Sequence, residues 1–208
     1  MNILVTGGAG FIGSHLSERL LGRGDRVVAL DNLNDYYDPR LKRRNLEAAL
    51  KSPGFAFVKG DILDAPLLDR IFGETAFDVI VHLAARAGVR PSLEQPLLYE
   101  QVNCIGTLNL LEQARKRNLR RLVFASSSSV YGNVKTIPFR EDARVDRPVS
   151  PYAATKAAGE LYAHNYFHLY GISVTALRFF TVYGPRQRPD MAIHKFTALI
   201  AQGKPLPI

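Results

Sequence analysis

Three groups of residues in this 208-residue chain have the types and spacing to do chemistry together. Tyr152 and Lys156 stand four apart in Tyr152-Ala153-Ala154-Thr155-Lys156, so on a helix they share a face. An ammonium beside a phenol favours the phenolate, which would bring tyrosine toward use as a base near neutral pH. A run of four serines, Ser126 to Ser129, ends the apolar segment that precedes them. At the opposite end, Gly7, Gly10 and Gly13 interrupt the chain between an apolar run and a helical pattern. Glycines so spaced give a tight turn, a close approach of backbone N–H groups to a phosphate, and a helix lying near its strand. The exposed helix N-terminus would hold a diphosphate. A Tyr-x-x-x-Lys pair alone is compatible with an ordinary surface pair, but the serine cluster and the glycine turn together point to redox chemistry on a bound dinucleotide.

These groups need elements to hold them, and the hydrophobic periodicity supplies strands alternating with helices throughout. Strands are expected at Asn2–Thr6, Arg26–Asp31, Phe55–Lys59, Phe77–Leu83, Arg121–Ala125 and Ser173–Phe179. Between them the pattern predicts helices from Ile12 to Leu21, from Arg40 to Leu50, after an Asp64 cap, after Pro96, and from Tyr152 to Tyr170, with a last one from Ala192 to Gln202. The resulting fold class is α/β, a doubly wound parallel sheet of the Rossmann kind, in one domain over residues 1–208.

That arrangement gathers ligands at the C-terminal ends of the strands. Asp31 closes the second strand at the spacing where a dinucleotide fold keeps an acid for ribose hydroxyls. Gly60-Asp61-Ile62 follows the third; Asp61 either accepts from an adenine amino group or starts the next segment. Leu83-Ala84-Ala85, small residues after the most apolar strand, leave room for a ligand across the strand end.

The bulk properties exclude several other readings. No apolar run approaches the roughly 20 residues that cross a bilayer, and no basic leader precedes the first strand. The single cysteine, Cys104, lies in a helical pattern as a packing residue, which suits the reducing cytoplasm. A formal charge of +8 invites nucleic acid, but the basic residues are scattered, without interleaved aromatics or a zinc pattern. Solvated helix faces and an anionic cofactor and substrate account for them. His164 and His168 share a helix face, yet Asn165 stands where a zinc-protease motif has glutamate, so no metal is expected. Lys204-Pro205-Leu206-Pro207-Ile208 reads as the entry to a further strand, and the chain as a fragment of a longer protein; the fragment itself is expected to bind its dinucleotide yet turn over little or no substrate.

Taken together, Thr6-Gly7-Gly8-Ala9-Gly10-Phe11-Ile12-Gly13, Asp31-Asn32, Gly60-Asp61-Ile62, His82-Leu83-Ala84-Ala85, Asn103-Cys104-Ile105-Gly106-Thr107, Tyr152-Ala153-Ala154-Thr155-Lys156 and Gly184-Pro185 resemble the extended short-chain dehydrogenase/reductase family of nucleotide-sugar epimerases and dehydratases. The resemblance spans essentially the whole chain. It implies bound NAD, contacted by Gly7, Gly10, Phe11, Ile12, Gly13, Asp31, Asn32, Asp61, Ile62, Leu83, Ala84 and Ala85. It further implies Tyr152 as the base, Lys156 on the nicotinamide ribose, Ser127 on the reacting sugar hydroxyl and Asn103 near the cofactor. Dehydratases and decarboxylases of the family carry an acid just before Val-Tyr-Gly; Ser128 and Ser129 stand there instead, which leaves epimerisation at carbon 4 through a 4-keto sugar.

The strings Asp31 to Pro39 and Arg178 to Met191 are similar to those of the UDP-glucuronate 4-epimerase subgroup, with the UDP-glucose 4-epimerases as the alternative. A non-catalytic NAD-binding module is the other, although Tyr152, Lys156 and Ser127 would then have no reason to be present. Substrate contacts are placed on Ser128, Arg90, Thr181 and Arg188. Thr181 with Arg188 would suit a sugar carboxylate, while Arg188 could equally serve UDP phosphates or the surface. Arg86 departs from the subgroup, which has an uncharged side chain there. The resemblance also implies a homodimer through the helices after Pro96 and from Tyr152; simple burial against the sheet is the plainer account of their apolar faces.

Overall fold

The computed structural model describes residues 1–207. Six strands, β1 (Asn2–Thr6), β2 (Arg26–Asp31), β3 (Phe55–Lys59), β4 (Val79–His82), β5 (Arg121–Ser127) and β6 (Ser173–Phe179), form one sheet in the order β3-β2-β1-β4-β5-β6. Every pairing is parallel. The order steps outward from β1 in both directions, so the C-terminal ends of β1 and β4 lie side by side where the chain reverses direction. Right-handed crossovers then put α1 (Phe11–Gly22) and α2 (Pro39–Leu46) on one face. The other face receives α3 (Ala65–Glu74), α4 (Val89–Glu94), α5 (Pro96–Tyr99), α6 (Gly106–Lys116) and α7 (Pro151–Tyr170). A last helix, α8 (Ala192–Ala201), follows β6.

The strand alternation explains the two cores. On β1, Leu4 points toward α3 and α6, joining Leu30, Leu68, Ile80, Leu110, Leu122 and Phe124 in the larger cluster. Ile3 and Val5 point the other way, toward Leu20 of α1 and Val27. β1 is buried along almost its whole length, as expected of a parallel strand covered on both faces, whereas β6 forms an edge and is half-exposed.

Side-chain caps set several helix starts. Asp64 accepts from Leu67 N–H at 3.0 Å and Ser150 from Ala153 N–H at 3.1 Å, with proline entering the first turn of α3 and α7. Gly171 ends α7 in the left-handed region at φ 66°.

Several boundaries differ from the sequence pattern, with β5 running two residues past Ala125 to Ser127. The helix expected to Leu50 stops at Leu46, and Ala49–Lys51 tighten into a 3-10 turn. β4 is shorter than the apolar run, because Phe77 packs edge-on against Phe72, ring centroids 5.1 Å apart, and the Asp78 carboxylate accepts from Asn2 N–H. The segment after Gly88 folds into the short α4 before Pro96. Residues 204–207 form no strand; Ile208, the last residue of the expected strand entry, lies outside the described residues.

His82 ties this frame together beneath the switch point. It is fully buried, with Nδ1 2.8 Å from Thr6 Oγ1 and Nε2 3.0 Å from Thr107 Oγ1. Thr107 donates its proton to Asn103 O, so its oxygen accepts from Nε2–H; Thr6 Oγ1 takes Ala84 N–H and donates to Nδ1. Both ring nitrogens are satisfied only by a neutral imidazole. Burial, with Lys156 adding repulsion, drives the His82 pKa down from 6.5 to about 3. The unfolded chain therefore binds a proton that the native chain refuses, and stability falls as pH drops from 6.5 toward 3, by up to about 1.4 kcal/mol per pH unit. Urea denaturation across that window is expected to lose this component of its slope in His82→Gln; equal slopes would contradict it.

Candidate active site

The glycine turn has the shape its spacing demands. Gly7 adopts φ 70°, and a Cβ there would lie 2.8 Å from Ala84 N on β4's exit. At Gly13 a Cβ would lie 2.2 Å from Gly7 O and 2.8 Å from Gly8 Cα, so only glycine allows α1 to pass this close to the turn. Gly10 caps α1 without a side-chain hydrogen bond, and the N–H groups of Phe11, Ile12 and Gly13 open the helix without intrahelical acceptors. A concave cradle of backbone donors at a helix N-terminus fits a diphosphate.

Around it runs a cleft of about 450 Å³. From β2's end it is lined by Asp31 and Asn32, from β3's end by Asp61 and Ile62, and from β4's end by Leu83, Ala84 and Ala85. Asp31 accepts from Ala9 N–H at 3.2 Å and Leu33 N–H at 2.9 Å, which fixes its carboxylate beside the turn. Asp61 is engaged twice, accepting from Asn32 Nδ2 at 2.7 Å and from Leu63 N–H at 2.9 Å; it organises the next segment and still lines the cleft.

The far wall carries Ser127, Ser128, Tyr152 and Lys156, with Thr181 and Arg188 from the loop after β6. Tyr152 and Lys156 project from the first two turns of α7 toward the end of β5. Lys156 is 3% exposed; its Nζ donates to Ala125 O at 2.7 Å and lies 5.0 Å from the Phe124 ring centroid and 6.0 Å from that of Tyr152. Burial pulls its pKa down from 10.5 to about 8. The Tyr152 phenol moves the other way from the sequence expectation. Burial raises its pKa, with the Ser127 hydroxyl and Arg188 opposing and Tyr36 adding to the rise, while the Lys156 ammonium is turned toward Ala125 O. Ser127 Oγ accepts from Ser129 N–H at 3.2 Å, which leaves its proton free to be donated into the cleft.

Two candidates sit elsewhere. Asn103 does not line the cleft. It is buried behind it, its Oδ1 accepting from Arg86 N–H at 2.8 Å and its Nδ2 donating to Arg86 O and Thr155 Oγ1, each at 3.0 Å. It thereby joins the β4 exit to α7. Its position comes from a π-helical stretch, Glu100–Ile105, between α5 and α6. Arg90 lies on the exposed side of α4 and is not part of the cleft wall.

The structure adds residues that the motifs passed over. Lys42 is buried in the cleft wall, 3.9 Å from Asp31, donating to Asn34 Oδ1 at 3.1 Å and lying over the Tyr37 ring. Arg178 of β6 makes a half-buried ion pair with Glu160 at 2.8 Å, and Glu160 also accepts from Ser126 Oγ. Glu160 is four residues after Lys156, so the same helical face that carries the Tyr/Lys pair also anchors the serine strand. That spacing was visible in the sequence. Cys104 is buried, its thiol pushed up to about 12 by burial and by Glu100.

A tyrosine and a lysine one helical turn apart, facing a glycine-lined helix N-terminus across the switch point of a parallel sheet, define the short-chain dehydrogenase/reductase class. The family model described as GDP-mannose 4,6 dehydratase matches residues 4–205, and the chain belongs to that epimerase/dehydratase family. It is 53% identical over 209 residues to UDP-glucuronate 4-epimerase 1 of Arabidopsis thaliana, covering 100% of this chain and 48% of that protein. Among solved structures, UDP-glucuronic acid 4-epimerase from Bacillus cereus in complex with UDP-glucuronic acid and NAD superposes with a TM-score of 0.91 at 40% identity, covering 99% of this chain and 65% of that one. UDP-glucose 4-epimerase from Thermus thermophilus in complex with NAD gives 0.88 at 41% identity, with 99% and 64% covered. The chain thus spans about half to two thirds of the length of these relatives.

Proposed function

We propose that the protein carrying this chain is an NAD-dependent UDP-sugar 4-epimerase that acts preferentially on UDP-glucuronate. The observation that carries the reading is the convergence of Tyr152, Ser127 and Lys156 on the cleft that the glycine turn opens. The chain's residues fit NAD: a Cβ at Gly7 or Gly13 would strike backbone and push the turn out of shape, uncapped N–H groups open the helix beside it, and Asp31 stands at the β2 end for the adenosine ribose. Asn32, Asp61, Ile62, Leu83, Ala84 and Ala85 complete its wall, with Asn103 holding the β4 turn from behind.

Bound there, NAD supplies a hydride acceptor that gives the hydride back, so carbon 4 is inverted without net oxidation. Tyr152 Oη removes the proton from the sugar 4-hydroxyl and returns it once the 4-keto sugar has turned. Ser127 Oγ donates to that same sugar oxygen. Lys156, with one proton committed to Ala125 O, has two left for the nicotinamide ribose. Ser128 and Thr181 offer hydroxyls, and Arg188 a guanidinium, on the sugar side. With serine at 128 and 129, neither position supplies an acid for dehydration or decarboxylation.

The same reading includes a homodimer through the helix run from Pro96 and through α7, where Leu97 and Leu161 are 78% and 69% exposed and Ile105 and Phe167 are exposed with them. Among the described residues no helix is long and apolar enough to cross a membrane. A single buried thiol suits a cytoplasmic protein. Incubation of the protein and NAD with UDP-glucuronate deuterated at carbon 4 tests the chemistry. The expected product is UDP-galacturonate with the label retained at carbon 4; loss of label to solvent, or faster turnover of UDP-glucose, would overturn the mechanism or the substrate respectively.

A further inference from the structure

Among the described residues, two cations in the cleft wall have no counter-charge: Lys156, whose Nζ is committed to Ala125 O, and Arg86. Arg86 follows the Ala84-Ala85 turn, and its peptide groups are held from both sides by the buried Asn103 amide, at 2.8 and 3.0 Å. Its backbone is therefore fixed. The guanidinium itself meets no carboxylate and no hydrogen-bond acceptor among the described residues. Its Cζ lies 5.9 Å from the centroid of the Tyr36 ring, and Arg188 Cζ lies 5.1 Å from the same centroid. Arg188 is paired with Asp190 at 3.0 Å. Two guanidiniums thus gather on one aromatic ring with a single counter-charge between them.

The ring is a fixed platform. Tyr36 Oη donates to Ala87 O at 2.9 Å, and Tyr99 Oη donates to the same carbonyl at 2.9 Å. The Tyr99 ring meets Tyr152 edge-on, with centroids 6.2 Å apart and an interplanar angle of 85°. Arg86 is therefore tied to the Tyr152 side of the cleft, while the cradle at Phe11, Ile12 and Gly13 provides separately for the cofactor diphosphate. Like charges held at a partly desolvated site favour an anion that neutralises them, and a planar guanidinium suits a two-oxygen group.

We propose that Arg86 is a specificity-determining residue that, together with Arg188 and braced by Tyr36, takes an oxyanion of the sugar nucleotide. The inference rests on the UDP-sugar reading above. Two oxyanions share the required chemistry, the sugar carboxylate and the substrate diphosphate, and the experiment separates them.

The NAD-saturated protein is titrated with UDP-glucuronate and with UDP-glucose, for the parent, Arg86→Gln and Arg86→Lys. Arg86→Gln is expected to weaken UDP-glucuronate at least about tenfold, the effect of losing a charge-assisted hydrogen bond. A loss confined to UDP-glucuronate assigns Arg86 to the carboxylate; an equal loss for UDP-glucose assigns it to the diphosphate. Arg86→Lys is expected to recover part of the affinity, since it restores the charge without the planar fork. The NAD affinity of Arg86→Gln is expected to stay within about twofold of the parent. Because the guanidinium makes no internal bond among the described residues, the variant should unfold at the parent's temperature. Unchanged UDP-glucuronate affinity, or a loss seen for NAD alone, would overturn the proposal. Failure of the parent itself to bind either UDP-sugar would instead sink the underlying substrate reading, so the two failures are distinguishable.

Discussion

Gly13→Ala is expected to weaken NAD binding at least about a hundredfold, the cost of losing two or more charge-assisted backbone contacts. The methyl carbon would stand 2.2 Å from Gly7 O, 2.8 Å from Gly8 Cα and 2.9 Å from Gly7 C. All three atoms are backbone, so no rotamer change relieves the clash, and α1 must move off the turn. That motion carries the N–H groups of Phe11 and Ile12 away from the diphosphate position. Overpacking of this kind costs about 1–3 kcal/mol, partly offset by alanine's better helix propensity. Gly22→Ala supplies the control in the same helix. Nothing lies within 4 Å of a Cβ there, so stability is expected to hold or rise by roughly 0.4–1 kcal/mol with NAD affinity unchanged. Isothermal titration with NAD and thermal unfolding of both variants check the pair. Equal NAD affinities for Gly13→Ala and the parent would rule out the glycine cradle as the diphosphate site.

Tyr152→Phe is expected to leave NAD affinity within about threefold and to lower kcat on UDP-glucuronate by about a hundred to ten-thousandfold, the range for losing a general acid–base group. The ring stays, so its edge contact with Tyr99 and the packing of α7 are retained. Only the hydroxyl goes. Burial raises the Tyr152 pKa, with the Ser127 hydroxyl opposing. The phenol is therefore a proton donor at neutral pH, and its use as a base depends on positive charge near the hydroxyl when the site is loaded. Steady-state kinetics with parallel NAD titration separate the two effects. A variant that binds NAD and turns over at more than about a tenth of the parent rate would remove Tyr152 as the proton carrier.

The residues most legible in the sequence were those whose role is local. The glycine turn, the Asp64 and Ser150 caps and the Tyr152/Lys156 pair each follow from spacing within one or two elements, and each lies where that spacing puts it. The central strands β1, β2, β4 and β5 were readable because a parallel sheet covered on both faces needs near-continuous apolar runs, and the less buried edge strands β3 and β6 from their short β-prone runs. Residues whose position depends on distant segments were not. Arg90 shares a string with cleft residues, yet the short α4 swings it to the surface. Asn103 belongs to a motif, but the π-helical stretch that buries it behind the cleft has no sequence signal of its own. Lys42 reads as one of several basic residues on a solvated helix until α2 is seen to lay it against Asp31 and Tyr37. The Lys156 ammonium, expected to lower the phenol's pKa by proximity alone, spends a proton on Ala125 O instead, a contact that neither residue's spacing reveals.

A crystal structure of the chain with NAD tests most directly whether Tyr152 and Lys156 face a nicotinamide whose diphosphate rests on the opening glycines. The expected complex has diphosphate oxygens on the N–H groups of Phe11 and Ile12, the adenosine ribose on Asp31, and Lys156 Nζ on the nicotinamide ribose with the Tyr152 hydroxyl beside the ring. A dinucleotide bound away from the turn, or one that leaves the Tyr152 hydroxyl out of reach of its nicotinamide, would contradict that placement.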